Sequence, residues 1–318
     1  MRAIARAQPN IALVKYWGKR DVERNLPAVG SLSVTLESLW TEMSVEFSSS
    51  LERDHLIVNG EPSASFLPRV SACLDHIAGS NRSPASVESL CNFPIAAGLA
   101  SSAASFAALS VAASAASGSD ADTLALARAA GRASGSAARS LYGGIVELRV
   151  SEQDIVVESV AAPDDWSLSV VVAVTERGPK PVSSGQAMIR SAQTSPFYGQ
   201  WVADQNADLD TALSAVAARD FLQLAEVSEF SCLKMHSVMW TSRPPITYWN
   251  AATLACMEVV RQLRSEGVPV FFTVDAGPQV KAVCLPGAEE EVATALAAVP
   301  GVNEVLRSGL GHGAKLCS

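Results

Sequence analysis

The chain has 318 residues, enough for one large domain or two of ordinary size. Hydrophobic residues make up 48 % of the chain, which argues for a substantial core and against global disorder. The formal net charge of −8 argues against nucleic acid or an anionic membrane as the main partner. A protein this acidic can bind a polyanion only where it concentrates its lysines and arginines.

The cysteines and histidines give no sign of a disulfide framework or a zinc site. The six cysteines are scattered without a Cys-x-x-Cys spacing, and the four histidines are isolated from one another. This usage fits reduced thiols. The first residues lack the apolar run of a signal peptide, so we expect a cytoplasmic protein without a membrane anchor.

Hydrophobic periodicity predicts strands and helices along the whole chain. In the first half the expected strands are 4–14, 31–36, 41–47, 52–59, 85–91 and 145–150. The expected helices there are 66–77, an apolar helix from Ser102 to Gly118, and a helix through Ala129 that Ser119 or Asp120 would cap. A helix this apolar could span a membrane, but serines interrupt it and it ends at Gly118. We therefore expect it to be buried in the core.

The second half repeats this mixture. The expected strands are 168–174, 268–274, 280–285 and 302–306, and the expected helices are 198–220, 246–266 and 289–299. Residues 161–165 make a plausible boundary between the two halves, which gives domains 1–165 and 166–318. Hairpins and helices without strict alternation predict an α+β architecture in two lobes.

A segment of small residues precedes the Ala/Ser-rich helix. Residues 94–103 read PIAAGLASSA, and a helix that begins here offers unpaired N–H groups and the positive end of its dipole. Gly98 allows close approach of a ligand, and Ser101 and Ser102 add hydroxyls. The segment predicts an anion site such as one for nucleotide phosphates, although an ordinary loop before a buried helix has the same pattern.

The order Pro-x-x-x-Gly-Leu-x-Ser-Ser-Ala resembles the phosphate loop of the GHMP small-molecule kinase superfamily. With the flanking residues 92–93 and 104–109, the resemblance narrows to the diphosphomevalonate decarboxylase family. It extends over nearly the whole chain in separated segments, which are 9–21 (PNIALVKYWGKRD), 33–36 (SVTL), 134–140 (SGSAARS), 235–236 (MH), 244–248 (PPITY) and 275–278 (DAGP).

The resemblance implies a fold and a reaction. The fold is the α+β, two-lobed GHMP kinase fold, with a ribosomal protein S5 domain 2-like N-terminal lobe, an α/β C-terminal lobe and the active site in the cleft between them. The reaction is ATP-dependent decarboxylation of mevalonate 5-diphosphate to isopentenyl diphosphate, ADP, phosphate and CO2, in the mevalonate pathway of isoprenoid biosynthesis. ATP as co-substrate, Mg²⁺ and a homodimer are also implied.

Three charged residues in the matching segments are the expected catalytic set. A tertiary hydroxyl is a poor leaving group, so it must be phosphorylated before it is expelled. Asp275, on a turn after a buried strand, would orient or deprotonate this hydroxyl, and Lys15 would favour the charged form of the aspartate. Arg139 suits the substrate carboxylate because a guanidinium can bind both oxygens in one plane.

The other expected contacts are polar residues and the phosphate loop. The substrate-binding set is Tyr16, Lys19, Ser134, Ser136, Ser183 and Ser184. The ATP-binding set is Ala97, Gly98, Leu99, Ala100, Ser101 and Ser102, of which Ser101 and Ser102 are also candidate Mg²⁺ contacts. We expect His236 to be a hydrogen-bonded helix histidine, and Tyr198 and Trp201 to pack in the core or the cleft.

Three rival functions stay open. A decarboxylase of mevalonate 5-phosphate would differ in the groups that bind the terminal phosphate, and this chain lacks the arginine that some members of the broader family bear near Gly185. A mevalonate 3-kinase departs from the Lys/Arg/Asp set, which is complete here. Loss of Asp275 or of the phosphate loop would have indicated a non-catalytic nucleotide-binding protein on the same fold.

Overall fold

The computed structural model describes residues 1–93, 100–178 and 180–317. The strands are β1 Arg2–Ala7, β2 Asn10–Val14, β3 Lys19–Asp21, β4 Leu26–Pro27, β5 Ser31–Thr35, β6 Thr41–Phe47, β7 His55–Val58, β8 Glu61–Pro62, β9 Ala85–Cys91, β10 Ile145–Val150, β11 Ile155–Ala161, β12 Ser169–Val174, β13 Val270–Val274, β14 Val280–Cys284, β15 Glu304–Ser308 and β16 Lys315–Leu316. The helices are α1 Leu67–Ala78, α2 Ser101–Ser117, α3 Thr123–Ala133, α4 Ser184–Thr194, α5 Tyr198–Ala218, α6 Phe221–Trp240, α7 Ala251–Ser265 and α8 Glu289–Ala297, with a 3-10 helix at Ala137–Leu141.

The N-terminal lobe contains a six-stranded sheet covered by helices. Its strand order is β16-β1-β6-β9-β7-β8, and it packs against α1, α2 and α3. Along β9 every second side chain is buried, as expected for a sheet with one face in the core. Helix α2 is apolar around most of its circumference and lies in this core, which confirms the predicted buried helix.

A second core joins the two halves of the chain. The sheet β11-β10-β5-β2 faces the sheet β13-β14-β12-β15 and helices α5 and α6. Leu13 and Val34 from the first half share this core with Val172 and Phe271 from the second. Because this packing is continuous, the ends of β2 and β13 lie side by side, and the cleft opens there.

Most predicted elements are present, and the differences have local causes. The expected strand 4–14 is two strands, because Pro9 has no N–H to give to a ladder. The N-cap of α3 is neither Ser119 nor Asp120 but Asp122, whose Oδ1 accepts from Ala125 N at 2.7 Å.

Helix α7 also begins later than expected. The helical prediction starts at residue 246, whereas Asn250 and Thr253 form a capping box that starts the helix at Ala251. Strand β11 was not predicted. In the described ranges, no helix combines the length and the apolar character needed to cross a membrane.

Candidate active site

A cleft of about 900 Å³ lies between the two lobes. Its positively charged lining residues are Lys15, Lys19, Arg24, Arg69, Arg132, Arg139 and Lys180. The carboxylates in the lining are those of Glu23 and Asp275. An acidic protein thus concentrates positive charge in one cavity, which is the arrangement that a polyanionic ligand requires.

Lys15 follows β2 directly, and two helices of the C-terminal lobe hold its backbone. The Lys15 N–H donates to Ser231 Oγ of α6 at 2.9 Å, and its carbonyl accepts from Gln205 Nε2 of α5 at 2.7 Å. The pairing of β2 with β5 shifts register between Ala12 and Val14, and such a bulge re-aims the side chains beside it. Lys15 is therefore a buried lysine at a fixed position in the cleft.

Asp275 follows β13 on a short turn that neighbouring helices fix. Cys232 Sγ of α6 donates to the carbonyl of Val274 at 3.5 Å, and Thr253 Oγ1 of α7 donates to the carbonyl of Pro278 at 2.7 Å. Both ends of the turn are thus held. A quarter of the Asp275 side chain remains exposed, and it faces the cleft.

Two lysines share the Asp275 carboxylate. Lys15 Nζ donates to Oδ1 at 2.6 Å and to the carbonyl of Ala12 at 2.8 Å, and Lys281 Nζ lies 3.2 Å from Oδ2. Burial acts to raise the pKa of Asp275, but the two ammonium groups outweigh it and hold this pKa well below its usual range. Asp275 is therefore ionised at neutral pH and its orientation is fixed.

Arg139, on the 3-10 helix, is fully buried beside this group. Its guanidinium donates to neutral acceptors, which are Ser31 Oγ at 2.6 Å, Ser33 Oγ at 3.0 Å and Asn10 Oδ1 at 3.1 Å. In the described ranges no carboxylate forms an ion pair with it. Burial lowers the pKa of Arg139 to about 10, so it remains charged at neutral pH. A buried cation without a counter-charge favours an anionic ligand.

Tyr16 covers Arg139 and packs against Gly135, and Tyr198 packs against Gly18. The Arg139 Cζ atom lies 6.0 Å from the Tyr16 ring centroid, and burial raises the pKa of Tyr16 to about 12. A Cβ at Gly135 would lie 2.3 Å from Tyr16 Oη, and a Cβ at Gly18 would lie 2.1 Å from Tyr198 Oη. Gly18 also has φ +99°, which favours glycine. Close packing of these rings therefore explains both glycines.

The other residues expected to bind the substrate line the same cleft: Lys19, Ser134, Ser136, Ser183 and Ser184. Ser183 is also the N-cap of α4, and its Oγ accepts from Gln186 N at 3.3 Å. Lys180 Nζ donates to Ser184 Oγ at 3.0 Å. The first turn of α4 therefore lies at the cleft beside a lysine.

The phosphate-loop prediction is covered in part by the described residues. Ala97, Gly98 and Leu99 lie outside them. Ala100, with φ 55°, is the N-cap of α2, and it lines the cleft together with Ser101 and Ser102. The N-termini of two helices, α2 and α4, thus point to one cavity, and each brings the positive end of a helix dipole.

A magnesium ion would find few protein ligands in this cleft. Among the described residues, no three His, Cys, Asp or Glu side chains are grouped so that they could hold a metal ion. Mg²⁺ commonly takes one or two ligands from the protein and the rest from phosphates and water. The hydroxyls of Ser101 and Ser102 in a cleft suited to phosphates fit that mode of binding.

Two lysines at the site, Lys281 and Lys180, were not predicted from the sequence. Lys281 interrupts the apolar strand β14, and its burial was not foreseen; a single charge in such a strand is the signal that could have identified it. Lys180 lies in a segment that the sequence predicts to be a loop, between two prolines and just before the serine pair. Burial lowers the pKa of Lys180 to about 8, and Lys281 adds to the lowering.

The structural role predicted for His236 is confirmed. It is fully buried on α6, and Trp249 Nε1 donates to its Nε2 at 3.1 Å. Burial lowers the pKa of His236 to about 3, so the ring is neutral. Trp201 is likewise buried, and its Nε1 donates to the carbonyl of Trp17 at 3.0 Å.

Two family models match the chain in succession. The model of the diphosphomevalonate decarboxylase-like N-terminal domain matches residues 7–161. The model of the mevalonate 5-diphosphate decarboxylase C-terminal domain matches residues 170–308. Together they include every expected catalytic residue.

Curated relatives and solved structures agree with these models. Diphosphomevalonate decarboxylase mvd1 of Aspergillus fumigatus is 35 % identical over 95 % of this chain and 81 % of its own, and the Homo sapiens diphosphomevalonate decarboxylase is 34 % identical over 93 % and 80 %. The Staphylococcus aureus mevalonate diphosphate decarboxylase structure superposes with a TM-score of 0.93 at 34 % identity, over 100 % of this chain and 98 % of its own.

A further solved structure is that of MDDEF in complex with MVAPP, AMPPCP and magnesium. It superposes with a TM-score of 0.92 at 35 % identity, over 100 % of this chain and 99 % of that one.

The fold and the cation-lined cleft define a two-lobed α+β protein of the GHMP kinase type. The two family models and the relatives at 34–35 % identity narrow this class. The chain belongs to the diphosphomevalonate decarboxylase family.

Proposed function

We propose that the protein catalyses the ATP-dependent decarboxylation of mevalonate 5-diphosphate to isopentenyl diphosphate, ADP, phosphate and CO2. The observation that carries this proposal is the pairing of two charged groups in one cleft. Asp275 is held ionised between Lys15 and Lys281, and Arg139 lies beside it without a carboxylate partner among the described residues. The substrate brings the two groups that such a site needs, a hydroxyl and a carboxylate.

Asp275 would orient the tertiary hydroxyl and accept its proton as the γ-phosphoryl group of ATP is transferred. The carboxylate is ionised because Lys15 and Lys281 lower its pKa, so each oxygen offers a lone pair to a hydroxyl. Lys15 also lies close enough to Asp275 to stabilise negative charge as it develops on the reacting oxygens. Orientation of the hydroxyl is the main contribution of this pair.

Arg139 would bind the substrate carboxylate before it leaves as CO2. After phosphorylation, the C–O bond breaks and phosphate leaves. The C–C bond to the carboxylate then supplies the electron pair of the new double bond. Three neutral acceptors fix the guanidinium plane, which suits a planar carboxylate.

The two polyphosphates would occupy the rest of the cleft. We assign the 5-diphosphate to Tyr16, Lys19, Ser134, Ser136, Ser183 and Ser184, with Lys180 added, and the ATP phosphates to residues 97–102. Ser101 and Ser102 would hold Mg²⁺, which supplies neutralisation of the phosphate charge. The cationic lining and the helix N-termini at Ala100 and Ser183 support this division.

A product assay tests the proposal. Purified protein is incubated with ATP, Mg²⁺ and carboxyl-labelled mevalonate, its 5-phosphate or its 5-diphosphate. We expect labelled CO2 and ADP from the 5-diphosphate alone. Labelled CO2 from the 5-phosphate would reassign the substrate, and ADP without CO2 would make the protein a kinase.

We also propose a cytoplasmic homodimer whose lobes divide at residues 165/166. The family resemblance supports the dimer, and six free cysteines support a reducing compartment. The N-terminal family model ends at residue 161 and the C-terminal one begins at residue 170, which supports the division. Light scattering of the purified protein tests the dimer, and a monomer at micromolar concentration would contradict it.

A further inference from the structure

Lys281 is a lysine in the middle of a fully buried strand. All five residues of β14 are buried, and Lys281 itself has no exposed surface. It pairs across the sheet with Thr273 of β13 and Val172 of β12. Burying an ammonium group is costly, so a lysine at this position needs an explanation from its surroundings.

The position of Lys281 explains which group it serves. Its strand neighbours Val280 and Ala282 pack into the core formed with α7 and α8, whereas Lys281 belongs to the opposite face of the sheet, which is turned towards the N-terminal lobe. From that face its Nζ approaches Asp275 Oδ2 to 3.2 Å, while Lys15 donates to Oδ1 at 2.6 Å. The carboxylate is thus held from both sides.

We propose that Lys281 is a positioning residue, which fixes the plane of the Asp275 carboxylate so that it presents a free lone pair to the substrate hydroxyl. The inference rests on the proposed function for its catalytic meaning. With one ammonium on each oxygen, rotation of the carboxylate about its Cβ–Cγ bond would break at least one ion pair. Lys15 alone would leave Oδ2 unheld by a lysine, and the carboxylate could turn.

Several other titratable groups face this pair. From the N-terminal lobe these are Lys15 and Arg139, from the segment before α4 Lys180, and from α6 Cys232 and His236. Lys15, Arg139 and Lys180 are positively charged, as Lys281 is, and His236 is neutral. Asp275 is therefore the negative group in this set, and removal of Lys281 changes its protonation more than that of its neighbours.

The first experiment compares kcat across pH for wild type, Lys281→Met and Lys281→Arg, with ATP and mevalonate 5-diphosphate saturating. We expect kcat of Lys281→Met to fall about 100-fold, the loss typical of misplaced catalytic groups, with KM for ATP little changed. Its acid limb should move to higher pH because Asp275 loses a positive neighbour. Lys281→Arg keeps the charge and should restore the wild-type acid limb.

Lys234→Met is the matched control. Lys234 of α6 forms an ion pair with Asp208, is largely buried and lies outside the cleft lining. The control should lose thermal stability while its pH profile stays at that of wild type. If Lys281→Met behaves in the same way, with an unmoved acid limb, Lys281 is a structural lysine and the proposal is wrong.

A second variant and a second measurement keep the test independent of folding and of the reaction. Lys281→Gln can still donate to Asp275 without charge, and failure of both uncharged variants to fold would assign Lys281 to stability and overturn the proposal.

In protein labelled with ¹³C at the aspartate carboxyls, the Asp275 resonance is identified by its loss in Asp275→Asn. We expect it to titrate at higher pH in Lys281→Met than in wild type, whether or not CO2 is released.

CO2 release and the titration of Asp275 together distinguish a failure of the proposed function from a failure of the role proposed for Lys281. Absence of CO2 release by wild type, with the Asp275 titration shifted in Lys281→Met, would overturn the proposed function and retain Lys281 as the residue that holds Asp275. Normal CO2 release with an unshifted titration would retain the function and overturn the role of Lys281.

Discussion

Two buried cationic groups lie beside the same cleft, and they differ in the groups that surround their charge. Lys15 and Lys281 share the carboxylate of Asp275, at 2.6 Å and 3.2 Å. Arg139 is surrounded by the neutral oxygens of one asparagine and two serines. The first group already holds a carboxylate between two ammonium groups and keeps one positive charge in excess, whereas no carboxylate among the described residues forms an ion pair with Arg139.

This difference separates chemistry from binding. Two ion pairs fix the orientation of Asp275 before any ligand binds, and removal of its carboxylate takes away an ion-pair partner from two buried ammonium groups. The guanidinium of Arg139 has no ion-paired carboxylate among the described residues, so an anionic ligand would bring it one. We therefore expect Asp275 to govern turnover and stability, and Arg139 to govern the binding of the carboxylate.

The largest effect is expected for Asp275→Asn. Loss of the group that orients and deprotonates the hydroxyl should lower kcat by about 10²- to 10⁴-fold, whereas ATP binding should remain nearly intact. The free energy of unfolding should fall as well, because Lys15 and Lys281 lose their partner. Steady-state kinetics, titration with a fluorescent ATP analogue and urea unfolding measure the three quantities. Unchanged turnover would remove Asp275 from the mechanism.

Arg139→Gln should lower kcat/KM with a smaller loss of stability than Asp275→Asn. Truncation of a buried charge that pairs with the ligand typically costs about 2–5 kcal/mol, which is a loss of about 30- to 4000-fold. Glutamine can keep part of the hydrogen bonding to Ser31 and Ser33. Kinetics and urea unfolding of both variants, side by side, give the comparison. A larger stability loss in Arg139→Gln would show that the protein itself balances its charge.

Ligand-induced stabilisation should separate the two groups directly. Mevalonate 5-diphosphate at about 100 times its Kd should stabilise wild type by about 2.7 kcal/mol. At the same concentration Asp275→Asn should keep most of this gain, and Arg139→Gln should lose most of it. Thermal unfolding with and without the ligand measures the gain. Equal gains in the two variants would mean that Arg139 does not contact the ligand.

The smallest effect is expected from Lys180, a cation of the cleft outside both groups. Burial lowers its pKa to about 8, so it is protonated below that pH and loses its charge above it. The value of kcat/KM for the 5-diphosphate should therefore fall on the alkaline side, with an apparent pKa near 8. Lys180→Arg should move this limb to higher pH. An alkaline limb that is the same in Lys180→Arg would assign it to another group.

The segments that resemble the family predict three of the charged residues that line the cleft, whereas Lys180 was missed. Lys15, Arg139 and Asp275 are far apart in the sequence and lie together in the structure. Their predicted roles stay predictions, to be tested by the variants above. Ala97, Gly98 and Leu99 lie outside the described residues, so the phosphate loop is the least tested part of the site.

Element boundaries depended on local chemistry that periodicity does not report. The strands 41–47, 85–91 and 145–150 were predicted with their observed bounds, because alternation runs their full length. The start of α7 was misplaced by five residues, since the capping box at Asn250 and Thr253 outweighs the apolar residues before it.

The sequence by itself determined the α+β fold, the position of most elements and the identity of the charged residues in the matching segments, because apolar spacing and short motifs are local properties. Only the tertiary structure decided how each charge is balanced. Lys281 lies in an apolar strand and forms an ion pair with Asp275, which lies on the preceding turn. Lys15 contacts the same carboxylate from the other lobe. The pKa of a buried group depends on its neighbours in space, and these are set by packing.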